Sequence, residues 1–252
     1  ICRRSRAVRL GCRSQIPLPG GALAPLAPAS SAFLDADLQS RDDLLTAVIS
    51  DDPNFLRQLA ATTRFGRLVH VASCNSTQDL AAADPDRSAA VYWADHQTAG
   101  RGRQQRVWDD EPGTDIAATF RCSVVAPSPI ALAVGVPLCV LQAAEPLVGR
   151  KLRLKWPNDV FCDGRKLAGV LIDGDGNGNY SIGIGINLNR TRFPRELEAI
   201  ATSLALVCGR TFHRAALLLD LAQRLETMLQ ALARGELGAL SEQFRDRLGL
   251  LG

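Results

Sequence analysis

The sequence predicts an α+β fold: a mixed, mainly antiparallel sheet flanked by helices. From Arg67 onward, short apolar stretches are separated by Gly, Pro and Asn turn signals, and two helix-like stretches lie among them. Several strands also follow one another on the C-terminal side, which strict β–α–β alternation would not give. Size and composition agree. The chain has 252 residues, 46% hydrophobic and 22% charged, with 21 Gly and 13 Pro. That leaves room for one large domain or two small ones, burying roughly 70–75% of the unfolded surface, and excludes fibrous, collagen-like and coiled-coil classes.

Residues 1–34 carry Pro17, Pro19, Pro25 and Pro28 among Arg, Ala, Ser and Gly, without a period of 3.6 or 2, which predicts a disordered leader. Its five arginines and lack of acids are also what an organellar transit peptide looks like; a misassigned start would look the same, and the chain opens on Ile. Residues 35–66 are expected to form a helical prelude, with Leu34 to Ala60 helical in two pieces broken near Asp52-Pro53. Residues 67–210 form the main domain. Its expected strands are Leu68–Ala72, Ala89–Ala94, Asp115–Cys122, Leu152–Trp156, Leu167–Asp173 and Tyr180–Leu188. One helix should begin at Ser76 and another should cover much of Pro129–Val148. Residues 211–252 read as a C-terminal helical segment, in which Leu218, Leu221, Ala222, Leu225, Leu229 and Leu232 share one face of a helix over Ala215–Leu232.

Charge and composition narrow the function classes. The net charge of +3 divides into +5 over residues 1–34 and −2 over the other 218, so the body offers no broad basic surface to nucleic acid. The longest apolar run, Ile130 to Leu141, is 12 residues and holds Pro137, short of the roughly 20 a membrane-spanning helix needs. It reads as buried core, and no membrane partner is expected. Seven cysteines without a C-x-x-C pair, and histidines far apart at 70, 96 and 213, suggest neither a disulfide framework nor a zinc site. A reducing compartment is expected: cytoplasmic, or organellar if the leader is a transit peptide. Metal ligands stay unknown.

Three segments carry chemistry-bearing residues. Gly100-Arg101-Gly102-Arg103-Gln104-Gln105-Arg106-Val107-Trp108 interleaves guanidiniums with glycines, which suits an anion, although a solvated basic loop has the same composition. It is neither a Walker loop nor a dinucleotide fingerprint. Lys155-Trp156-Pro157-Asn158-Asp159, followed by Arg165-Lys166-Leu167-Ala168-Gly169, should end a strand at Lys155 and present Asn158 and Asp159 on a turn; plain turn chemistry is the bland alternative. Only three lysines, at 151, 155 and 166, stand against 26 arginines, so two of the three fall in this one segment. Ser181-Ile182-Gly183-Ile184-Gly185-Ile186-Asn187 alternates Ile with Gly, leaving one strand face bare for a flat ligand or a close packing partner. A weaker fourth element, Ser76-Thr77-Gln78-Asp79, has capping-box spacing with Asp79 in place of the usual Glu.

Together and in this order, these segments resemble the blocks of the biotin protein ligase family, or biotin-[acetyl-CoA-carboxylase] ligases, over about residues 68–190. The resemblance implies a catalytic domain over residues 67–210, with a sheet related to class II aminoacyl-tRNA synthetases. It implies a two-step ligase that joins biotin to ATP as biotinyl-AMP and then passes biotin to a lysine of a biotin carboxyl carrier protein, from acetyl-CoA carboxylase or a related carboxylase. ATP and Mg²⁺ would be co-substrate and ion. By the same resemblance, Ser76, Thr77, Gln78 and Gln97 would bind the ureido head of biotin. Gly100, Arg101, Gly102 and Arg103 would close over its carboxylate, beside Lys166 and Gly169. Arg103, Arg106, Trp108, Lys155, Asn158 and Asn187 would hold ATP, with Trp108 covering the adenine and Asn187 reading its edge. Lys166 and Arg101 are the expected catalytic cations, since adenylation drives a carboxylate onto an anionic phosphate. Asp159 would position, and help deprotonate, the incoming lysine.

This sequence departs from the family in three places: Gln78 where Asn is common, Gln105 where a glycine is usual, and no strand-rich segment after Phe244, where many relatives continue into an SH3-like domain. Rival readings are a lipoate ligase or octanoyltransferase of the same superfamily and a biotin-responsive DNA-binding repressor. Against the repressor, residues 34–65 set Arg41, Arg57 and Arg64 against an excess of aspartates, so DNA is not an expected partner. A homodimer is left open.

Overall fold

The computed structural model describes residues 53–124 and 129–248, so the leader and the first piece of the helical prelude lie outside the described residues. The second piece is helix α1, Pro53–Thr62. Strand β1, Arg67–Cys74, leads into helix α2, Thr77–Ala83, and then strands β2, Ala90–Gln97, and β3, Ile116–Ser123. Helix α3, Pro129–Val148, is followed by β4, Arg153–Lys155, β5, Asp159–Cys162, β6, Arg165–Gly174, and β7, Asn179–Ile186. Helices α4, Leu204–Cys208, α5, Arg214–Ala233, and α6, Leu237–Arg247, complete the order.

The expected mixed sheet forms with seven strands in the order β1-β2-β3-β7-β6-β5-β4. Only β1 and β2 run parallel, joined across α2; the other neighbours are antiparallel. One strand was not expected. Asp159–Cys162 is β5, so Lys155-Trp156-Pro157-Asn158-Asp159 is a tight hairpin between β4 and β5 and not the end of a lone strand.

The two faces of the sheet differ. Ile182, Ile184 and Ile186 of β7 pack with α3 and α5 in the main core, and the leucines predicted on one face of α5 are all buried there. Helix α3 has 20 residues and is long and apolar enough, by length and composition, to cross a membrane. The 12-residue run thus understates it. Most of it is nonetheless buried, with Ala131, Leu132, Val136 and Leu141 sealed in the core. On the opposite face, α2 covers only part of the sheet, packing near Tyr92 and Ala94. Cys74, Cys122, Cys139, Cys162 and Cys208 are free thiols.

Candidate active site

The uncovered part of that second face is paved with small residues because of strand register. Ala94 of β2 pairs with Ala117 of β3, Ala117 with Gly185 of β7, and Gly185 with Gly169 of β6. Directly paired residues point to the same face, so these four form one row with little side chain. The row continues through Asp159 of β5 to Lys155 of β4, ending in a carboxylate and an ammonium. The next row is Tyr92, Thr119, Gly183 and Leu171.

Lys166 reaches this face through an irregularity. Strict alternation would put it opposite Gly169, three residues on. Between β5 and β6 the register slips: Val160 faces Ala168 while Phe161 faces Lys166, leaving Leu167 as an extra residue. Such a bulge re-aims a side chain. Lys166 Nζ thus lies 2.8 Å from Asp159 Oδ1 and 5.6 Å from the Trp108 ring centre.

The bare glycine face expected in β7 is present, but the chain itself lies on it. The indole of Trp108 rests against Gly185, where a Cβ would overlap the ring, and its Cζ3 would be 3.2 Å from a Cβ on Gly169. Gln78 lies over Gly183 and donates from Nε2 to the carbonyls of Leu171, at 3.1 Å, and Ser181, at 3.3 Å. Its Oε1 is buried without a partner among the described residues.

The first turn of α2 supplies the polar end. Ser76 is the N-cap, accepting from Gln78 N–H at 3.3 Å. Gln97 Oε1 accepts from the backbone N–H and the hydroxyl of Thr77, at 2.9 and 3.2 Å, while the Thr119 hydroxyl donates to Thr77 Oγ1 at 2.9 Å. Thr119 was missed in the sequence; its signal was a lone hydroxyl within the apolar run Ile116-Ala117-Ala118-Thr119-Phe120. The capping-box expectation holds only at Ser76, because Asp79 instead pairs with Arg101 at 2.9 Å.

The arginine segment is a loop over this face, closed by Trp108 N–H to the Gly100 carbonyl at 2.8 Å and Gly102 N–H to the Arg106 carbonyl at 2.7 Å. Gln104 and Gln105 both take left-handed backbone angles, φ 56° and 60°, so the glutamine standing where a glycine is usual sits in glycine-like geometry. Arg101 approaches Asp173 to 3.9 Å as well as pairing with Asp79.

All of this surrounds one cavity of about 310 Å³. Ser76, Thr77, Gln78 and Gln97 line it, as do Arg101, Gly102, Arg103, Arg106 and Trp108 from the loop, and Lys155, Asn158, Asp159, Lys166 and Gly169 from the sheet. Five cations against one carboxylate favour an anion. Two expected residues stand apart. Gly100 closes the base of the loop beside Gln97 and Trp108 without lining the cavity. Asn187 does not line it either: its amide donates to the Thr202 carbonyl at 3.0 Å and the Lys166 carbonyl at 3.4 Å, bracing the end of β7. Asn158 lines the cavity, but its amide donates to the Val170 carbonyl at 2.9 Å, pinning the hairpin to β6.

Two buried carboxylates support the loop from behind. Asp110 accepts from Gln97 N–H at 3.0 Å, and burial raises its carboxyl above the usual range. Asp115 accepts from Leu188 N–H at 2.9 Å, and burial pushes it up to about 6. Among the described residues no group of three or more His, Cys, Asp and Glu side chains is placed to hold a metal.

Comparison with known proteins matches residues 72–189 to the model of the biotin/lipoate A/B protein ligase family. The chain is 37% identical over 130 residues to the bifunctional ligase/repressor BirA of Bacillus spizizenii, a match covering 48% of this chain and 40% of that protein. It is 37% identical over 158 residues to the biotin--[acetyl-CoA-carboxylase] ligase of Mycobacterium tuberculosis, covering 58% of each. The chain thus spans about half the length of these curated relatives. Among solved structures, the biotin protein ligase of Aquifex aeolicus in complex with biotin and ATP superimposes with a TM-score of 0.70 at 27% identity, covering 75% of this chain and 81% of that one.

Proposed function

We propose that the chain is an ATP-dependent biotin protein ligase, a reading supported by the match of residues 72–189 to the biotin/lipoate A/B protein ligase family and by the geometry of the cavity. One observation carries the reading: a single cavity joins a buried hydrogen-bonding end, at Ser76, Thr77, Gln78 and Gln97, to a mouth bearing five cations. A ligand suited to it has a neutral polar head, a slim apolar body to lie along a row of Ala and Gly, and an acidic tail to be activated.

In the first step the biotin carboxylate attacks the α-phosphorus of ATP, forming biotinyl-AMP and releasing pyrophosphate. Two anions must approach one another. Arg101, Arg103 and Lys166 offset the negative charge that gathers on the phosphate, a role best filled by donors already in place. Arg101 must exchange Asp79 for the ligand, which the loop's exposure allows. Trp108 forms the apolar wall. In the second step a lysine amine of a biotin carboxyl carrier protein attacks the acyl carbon, forming an amide and expelling AMP. That amine is protonated at neutral pH and must first lose a proton; Asp159, at the end of the small-residue row, is the acceptor we assign. Among the described residues no cluster of His, Cys, Asp and Glu forms a Mg²⁺ cage, so the ion would be carried by the phosphates of the ATP it accompanies.

The test is mass spectrometry of an apo carrier domain incubated with the full chain, ATP, Mg²⁺ and either biotin or lipoate. A mass gain of one biotinyl group, dependent on ATP, is expected. A gain with lipoate alone would move the reading to the other branch of the family, and no gain with either would end it.

A further inference from the structure

Strand β2 outruns its neighbour. Its pairing with β3 ends at Ala94 opposite Ala117, so the outward backbone groups of residues 95–97 have no strand to bond. The segment after Trp108 stands in for one. Gly113 N–H donates to the Asp95 carbonyl at 2.9 Å, and Gln97 N–H donates to the Asp110 carboxylate, at 3.0 Å to one oxygen and 3.4 Å to the other.

Asp110 is an expensive way to fill that place. Its side chain is 2% exposed, and an ionised carboxylate is costly to bury unless its partners compensate. His96 Nδ1 lies 3.4 Å away. An apolar side chain could pack there; what the carboxylate adds is an acceptor for the last N–H of β2.

That N–H belongs to the residue holding Thr77, and Trp108 lies two residues before Asp110. Residues 98–109 leave the sheet after Gln97 and return at Asp110, so the Gln97–Asp110 bond is the neck of the arginine loop. We propose that Asp110 is a positioning residue that locks this neck, and thereby holds Gln97 and Trp108, the polar end and the apolar wall of the cavity, in register for the ligand. Only the identity of that ligand rests on the biotin ligase reading.

The test compares the full chain with Asp110→Ala and Asp110→Asn, whose amide oxygen still accepts the N–H. Asp110→Ala should raise the calorimetric Kd and the KM for biotin about ten- to a hundredfold, the range for a lost charge-assisted hydrogen bond. Without ligand, trypsin should cut the loop arginines faster in Asp110→Ala. Asp110→Asn should restore both readouts. Wild-type biotin affinity in a folded Asp110→Ala would overturn the proposal, as would equal losses in the two variants. Should Asp110→Ala not fold, Asp110→Leu, which fills the space without an acceptor, is read in the same way. A wild-type chain that binds no biotin would sink the ligase reading alone, because the tryptic comparison still decides the role of the neck.

Discussion

The small-residue row, through Ala117, Gly185 and Gly169, and the arginine loop, through Arg101, Arg103 and Trp108, border the same cavity, yet they are held in place by opposite means. The row belongs to a sheet whose backbone groups are bonded on both sides and whose reverse face is sealed by isoleucines. The loop has two non-glycine residues at positive φ and keeps Arg101 on exposed carboxylates. Groups that read a neutral ligand can be placed before it arrives, because an unfilled hydrogen bond in a small polar pocket costs little while water fills it. The loop arginines sit instead on an element that can exchange partners as anionic ligands arrive. Lys155 and Lys166 are cations on the rigid side, and Lys166 is the exception that pairs with Asp159 inside the cavity.

That exception gives the largest expected effect. Lys166→Ala should lower the adenylation rate about 10²–10³-fold, as removal of one preorganised charge-stabilising donor does elsewhere, with a smaller effect on biotin affinity. Single-turnover formation of biotinyl-AMP measures it. If Arg101→Ala costs more, the loop and not the sheet carries the chemistry.

Asp115 tests the junction between the two walls, since it accepts N–H groups from Leu188, just after β7, and from Glu111, just after the loop. Its carboxyl titrates at about 6 when folded, above the unfolded value near 3.8. A raised acid favours the folded state fully below the unfolded value and loses that contribution as pH climbs through the folded one. Between pH 4 and pH 6.5 the wild type should therefore lose stability relative to Asp115→Asn, by no more than about 3 kcal/mol. Urea midpoints across that range would contradict this by keeping a constant difference.

Gly185→Ala attacks the row itself. The new methyl overlaps the Trp108 indole, which must lift, and the repacking should cost about 1–3 kcal/mol of biotin affinity, read by calorimetry together with a change in tryptophan fluorescence. The smallest effect is expected in the loop: Gln105→Gly removes a left-handed strain and should raise stability by up to about 1 kcal/mol, seen as a small rise in Tm.

How much of this was legible depended on whether the pattern was local. The Ile/Gly alternation of β7 announced two faces, and the leucines of α5 announced a core helix; both periods are short and were read correctly. Strand β5 was absorbed into the turn before it, since four residues after Pro-Asn are too few to show a period. The face of Lys166 could not be read at all, because a one-residue bulge exists only in the pairing of two strands. Asn187 looked like a ligand-facing amide, but which carbonyls lie beside it depends on residues 166 and 202, far away in sequence. Asp110 gave no signal, because its task arises only where β3 stops short of the end of β2.

In the proposed reaction the loop cations and the bulge-borne lysine converge on one acyl–phosphate junction. The most direct measurement is exchange of labelled pyrophosphate into ATP by the full chain, with and without biotin. Exchange should require biotin and be lost in Lys166→Ala and in the double variant Arg101→Ala, Arg103→Ala; exchange indifferent to biotin, or surviving in both variants, would rule that convergence out.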